Sequence, residues 1–169
     1  MITDLTRTLN GKYISSNSTI IFDANPYLSP SNDLTLYFTN NDSRFAAKVI
    51  SVSGNTAVVN FTNPQYANTS VIVKTPQFGA GITGPQEVFS FKLSTPPNAI
   101  IQVSSNGGTS SVTLEASTDQ QSWVTLASLP ITVANSNSAF TTVTSPWPYG
   151  RINIGSINAG NYITINKAI

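Results

Sequence analysis

Ala46-Ala47-Lys48-Val49-Ile50-Ser51-Val52-Ser53-Gly54-Asn55-Thr56-Ala57-Val58-Val59-Asn60-Phe61 reads as one β-hairpin. Both arms are rich in β-branched residues, and Ser53-Gly54-Asn55 marks a tight turn in which Gly and Asn supply positive φ. In the second arm Ala57, Val59 and Phe61 fall on one face, because successive strand side chains point to opposite sides. The same two-residue period recurs at Leu34, Leu36 and Phe38, at Val71 and Val73, at Val112 and Leu114, and at Ile152 and Ile154. Each set is expected to line a buried face. Between these runs stand turn clusters such as Ser29-Pro30-Ser31-Asn32-Asp33, Asn40-Asn41-Asp42, Asn106-Gly107-Gly108 and Asn158-Ala159-Gly160-Asn161. Apolar residues at helical spacing are scarce, and so are the strong helix formers Glu, Lys, Gln and Met. Many short strands with frequent turns predict an all-β chain, antiparallel and β-sandwich or jelly-roll-like.

Thr75 to Gln86, TPQFGAGITGPQ, combines Pro and Gly in a way that interrupts a strand ladder. It predicts two small β domains in tandem: 1–76, a linker at 77–87, and 88–169.

The composition limits the chemistry. The chain has no His and no Cys, only seven acids, and 61 Asn, Ser and Thr residues. A net charge of +1, with the cations scattered singly, leaves no basic stripe for nucleic acid. Near-zero net charge favours association, so an oligomer or a larger assembly is expected. Met1 to Asn10 lacks the apolar core of a signal peptide, and no run approaches the length of a transmembrane helix, so synthesis in a host cytoplasm without membrane insertion is expected. The N-x-[ST] sequons at Asn17, Asn41, Asn60 and Asn68 are what so much Asn, Ser and Thr produces by chance.

Asp23, Asp33 and Asp42 fall in turn-like segments, where Asx turns account for them better than a calcium loop whose spacing they do not match. Asp4, Glu87, Glu115 and Asp119 show no pairing of the kind a glycosidase needs. Without His, a Ser or Thr nucleophile would need Lys or a carboxylate as base, and no motif supplies one. The expectation is a non-enzymatic protein without cofactor or metal. Aromatic rings outside the strand pattern are the remaining binding candidates: Tyr27, Phe78 and Trp147. Trp147 and Tyr149, just ahead of Arg151-Ile152-Asn153-Ile154, also suit closing a sandwich. Trp147 with Asn153 is the best available platform for a glycan.

Ser111-Val112-Thr113-Leu114-Glu115-Ala116-Ser117, the polar turn Thr118 to Gln121, Ser122-Trp123-Val124-Thr125-Leu126, and then Arg151-Ile152-Asn153-Ile154 with Gly160-Asn161-Tyr162-Ile163-Thr164-Ile165 resemble the small β-sandwich domains of tailed-phage virion proteins. The resemblance covers about Val88 to Ile169. It implies that Trp123 is a core residue packing across its hairpin and that Arg151 lies on the strand closing the sandwich. It further implies a virion structural protein, foremost a capsid decoration or cement protein, a homotrimer whose partner is the major capsid protein or another virion protein. The alternative it implies is a tail or fibre component with a glycan-binding module.

Overall fold

The computed structural model describes residues 2–38, 43–91, 99–132 and 137–168. Among them every described strand pairing is antiparallel, as the sequence predicts. The chain forms two units, one of Thr6–Phe78 and one of Met1–Leu5 with Gly79–Ile169. The strand β1 (Ile2–Asp4) thus belongs with the later residues rather than with the domain that follows it.

The first unit is a closed barrel. Its strands are β2 (Arg7–Ile14), β3 (Thr19–Phe22), β4 (Asp33–Phe38), β5 (Ser43–Ser53), β6 (Thr56–Val59) and β7 (Thr69–Thr75), paired in the ring order β2-β3-β6-β5-β4-β7. The β5–β6 hairpin turns where expected, with Ser53 opposite Thr56. Gly54 alone carries the positive φ, at 57°, whereas Asn55 does not. This is the glycine-first pattern of a type II′ turn.

So small a barrel is filled by its own side chains. Tyr13, Ile20, Leu36, Ala57 and Val73 are fully buried inside it, and Leu34, Phe38, Val49, Val59 and Val71 are nearly so. One part of this core is aromatic. Phe38 stacks on Tyr66 with ring centroids 4.1 Å apart, and Tyr13, Phe45 and Phe61 gather around them. Tyr66 comes from a single 3-10 turn, Pro64–Tyr66, whose Gln65 amide donates to the Asn63 side chain at 3.0 Å. The Tyr13 hydroxyl then holds this segment: it donates to the Phe61 carbonyl (3.1 Å) and accepts from the Asn63 amide (3.0 Å). Two residues before Tyr13 on β2, strand crowding requires glycine, because a Cβ at Gly11 would lie 2.7 Å from the Ile21 carbonyl oxygen.

The second unit is built from two sheets. β8 (Phe78–Gly79) marks where the first unit ends and the second resumes. One sheet has the order β1, β16 (Tyr162–Ala168), β11 (Ala99–Ser105), β14 (Ser138–Val143). The other runs β10 (Phe89–Ser90), β15 (Tyr149–Ile157), β12 (Ser110–Ser117), β13 (Val124–Ser128), with β9 (Gly84–Pro85) also on β15. Alternate residues are buried in both: Ile101, Val103, Ile163 and Ile165 in one, Val112, Leu114, Ile152 and Ile154 in the other. Lys167 of β16 reaches across to donate to the Ser90 carbonyl of β10 at 2.9 Å, and its ammonium sits over the Phe89 ring. The arrangement is the sandwich predicted for this part of the chain.

The stretch 77–87, expected as a linker, is built into folded structure. Gln77 is buried, Gly84 and Pro85 pair with Ile154 and Asn153, and the Gln86 amide donates to the Ile152 carbonyl. Pro85 is tolerated there because a two-residue edge strand needs few donors.

Candidate functional site

Of the three aromatic candidates, Tyr27 is the one the fold presents outward. Its side chain is 38% exposed, whereas its neighbours Pro26 and Leu28 are buried and fasten the loop on both sides. The loop is tied at several further points. The Tyr27 amide donates to the Asn25 side-chain oxygen at 2.9 Å, an Asx turn that supports the left-handed φ of 47° at Tyr27. The Tyr27 carbonyl accepts from Arg7 Nη2 at 3.0 Å, and Arg7 Nε donates to the Gln77 carbonyl at 2.7 Å. Farther along, Asn32 is 1% exposed, its side chain accepts from the Ser29 amide, and its carbonyl accepts from the Val49 amide.

Arg7 is therefore a buried clamp whose hydrogen bonds go to carbonyl groups. Desolvation by burial lowers its pKa to about 10, which leaves the guanidinium charged at neutral pH. Beside it, Gln77 joins the first residues of β4 to the end of β7: its side-chain oxygen accepts from the Asp33 amide and from the Thr75 hydroxyl, both at 3.0 Å. Asp33 in turn pairs with Lys48. The Lys48 hydrogen bond, aided by Gln77 and opposed by slight burial, holds the Asp33 carboxyl below the usual range. This aspartate serves the barrel surface, and Asp42 lies outside the described residues.

Phe78 is not a surface ring. It is 2% exposed, and the flanking glycine that suggested a loop is buried with it in β8. Trp147 is half-buried and lines a shallow groove of about 140 Å³ with Leu126, Val143 and Ser145. That is below the roughly 300 Å³ at which small-molecule pockets begin. Asn153 lines a different groove, with Ser111, Thr113, Ser128 and Gly155. Trp147 and Asn153 do not form one platform.

A fourth cluster escaped the sequence reading. On the outer face of the β12–β15 pair, Glu115 stands opposite Arg151. Arg151 Nε donates to Glu115 Oε2 at 2.6 Å, Asn153 Nδ2 donates to Glu115 Oε1 at 3.0 Å, and the Trp123 ring covers the guanidinium at 4.1 Å. Trp123 is thus a half-buried lid over an ion pair, not the core residue the resemblance implied. Register explains the difference: the shift between Leu114 and Glu115 carries β13 past its partner, and Trp123 precedes the strand. Partial burial pushes the Glu115 carboxyl up, but hydrogen bonds from Asn153 and Arg151, with the charge of Arg151, outweigh it and hold the group low. The groups satisfy one another, so the cluster joins strands without leaving a reactive carboxyl. At the nearby turn Asp119 behaves similarly. Hydrogen bonds from the Ser122 and Gln121 amides and the Ser117 hydroxyl lower its pKa to about 2. Among the described residues, no three of His, Cys, Asp or Glu are grouped to hold a metal ion.

No family model matches the chain, and no curated protein matches it in sequence. Three solved structures show a distant likeness. They are an isomalto-dextranase of Arthrobacter globiformis T6 in complex with panose (10% identity, TM-score 0.34, 98% of this chain), the PBSX exported protein XepA (10%, 0.32, 98%), and the VP16-VP17 complex of the two major capsid proteins of bacteriophage P23-77 (10%, 0.30, 96%). The chain spans 32% of the isomalto-dextranase, 76% of XepA and 77% of the capsid chain. At these TM-scores none of them carries an argument about function, and the fold rests on its own strand pairings.

Proposed function

We propose that this chain is a structural protein of a tailed-phage virion, a head decoration protein that binds the assembled shell through the Tyr27 loop. One observation carries the reading: Tyr27 is an exposed aromatic ring whose backbone is fixed by Arg7, Asn25 and two buried neighbours. An aromatic anchor on a pre-ordered loop loses little entropy on docking, which is how a small contact becomes a strong one. The sequence resemblance of the second unit supports the virion setting. The low-charge, amide-rich surface supports contact with protein rather than with nucleic acid. A protein that binds only the assembled shell stabilises it by mass action.

The test is occupancy of purified heads by the wild-type chain and by Tyr27→Ser. Loss of occupancy with an unchanged melting curve is the expected result; full occupancy removes Tyr27 from the reading. The tail or fibre alternative would use the half-buried Trp147 ring, with the shallow groove beside it, as a stacking surface. Saturable oligosaccharide binding that disappears in Trp147→Ala would put that reading first.

A further inference from the structure

Closure leaves the barrel without a free strand edge, whereas the two sheets of the second unit end in β1 and the two-residue β8, in β14, in β10 and the two-residue β9, and in β13. Three of these ends are blunted. β1 is three residues long and carries Asp4, β10 has two residues, and β13 meets β12 through a register shift. β14, Ser-Ala-Phe-Thr-Thr-Val, has six residues in unbroken register with β11 and contains no charge, proline or bulge. Such devices guard edges because an unpaired row of N–H and C=O groups recruits another strand. Among the described residues, no strand pairs with the other side of β14.

Hydrogen bonding fixes which groups look outward. The Ser105 amide donates to the Asn137 carbonyl at 2.8 Å, so in this antiparallel ladder the bonded pairs fall at every second position from there. Ala139, Thr141 and Val143 bond toward β11, and Ser138, Phe140 and Thr142 aim their backbone N–H and C=O away from it. Side chains of these three lie on the outer sheet face, where Phe140 is 72% exposed and Ile100, on neighbouring β11, is 46% exposed.

We infer that β14 pairs antiparallel with β14 of a second copy of this chain, about a two-fold axis through Phe140. The strand is complementary to itself in that register. Phe140 meets Phe140 of the partner, Ser138 meets Thr142, and each facing pair exchanges two backbone hydrogen bonds. No charge on β14 confronts its own copy, which a two-fold contact would otherwise force. Pairing merges two sheets into one and covers the most exposed ring of the chain. The contact is two-fold, unlike the trimer the resemblance implies, and it does not rest on the virion reading: head binding can fail while the dimer stands, and the converse.

The experiment uses the full chain. Light scattering and sedimentation are expected to give a dimer. Phe140→Lys places two ammonium groups face to face and is expected to raise the dimer dissociation constant at least about 100-fold, with an unchanged melting curve at dilutions where the wild type is monomeric. Thr142→Pro removes an outward N–H that has no bonding partner among the described residues, and is expected to weaken the dimer in the same direction. Because the chain has no Cys, Phe140→Cys can link only to itself across copies, where a Cα spacing of about 5.5 Å suits a disulfide. Its oxidised form should run as a covalent dimer, and Ile50→Cys, on the barrel and also exposed at 55%, should not. A monomer, a trimer, or cross-linking of Phe140→Cys no faster than of Ile50→Cys overturns the inference.

Discussion

Replacing Tyr13 by Phe removes one oxygen atom and keeps the ring, which makes it a clean probe of how the barrel core is held. The hydroxyl bridges the Phe61 carbonyl and the Asn63 amide, at 3.1 and 3.0 Å. Without it both backbone groups lose their partner at a partly buried position. Each hydrogen bond contributes about 1 kcal/mol net, and orphaned buried groups cost more, so a loss of about 2 kcal/mol is expected. For a unit of this size that corresponds to a fall in Tm of roughly 8 to 16 °C. The effect should also be local. Asn63 caps the turn that carries Tyr66 onto Phe38, so near-ultraviolet dichroism of the aromatic cluster should weaken and the Asn63 amide should exchange faster. A Tm shift under about 2 °C with an unchanged Asn63 exchange rate would refute the reasoning.

Gly11→Ala forces a methyl group to 2.7 Å from a backbone oxygen, and should cost about 1 to 3 kcal/mol in chemical denaturation; wild-type stability would show that the strands can separate there at no cost. Asp119 should titrate near the lowered value of about 2, followed by carboxyl carbon shifts. Since its folded pKa is depressed, its contribution to the turn is complete above the ordinary carboxylate range and is lost as pH falls toward 2; a midpoint near 4 would mean that the amide bonds do not form. Glu115→Gln leaves Arg151 with a neutral acceptor under Trp123, and should lower the stability of the second unit by about 1 kcal/mol, less so in high salt. No loss at low salt would deny the pair a structural role.

Alternation made the strand faces legible. Leu34, Leu36, Phe38, Val71, Val73, Val112, Leu114, Ile152 and Ile154 were all placed inside by their period alone, and all are buried. Pairing over long separations was not legible. Nothing local in Arg7 to Ile14 says that it closes a ring with Thr69 to Thr75, and nothing in Ile2 to Asp4 says that its partner is Asn166 to Ala168. The Trp123–Arg151–Glu115 stack depends on register between strands more than 30 residues apart, including a bulge. Phe78 misled because its glycine neighbour resembled a loop, although glycine equally serves close packing. Tyr27 was legible for a physical reason: Asn25-Pro26 initiates a turn, and a ring on a turn has no strand face to fill.

β1 and β16 lie at opposite ends of this chain and are direct neighbours in one sheet, with the whole barrel interposed along the sequence between β1 and the other strands of its unit. During synthesis β1 leaves the ribosome before the barrel strands, and its partner β16 leaves after them. The barrel, whose strands all lie between Arg7 and Thr75, can close while the remainder is still being translated; β1 must wait, unpaired, until translation reaches β16. A nascent chain arrested before Tyr162 should therefore carry a finished barrel and an N-terminal strand that proteases can still reach.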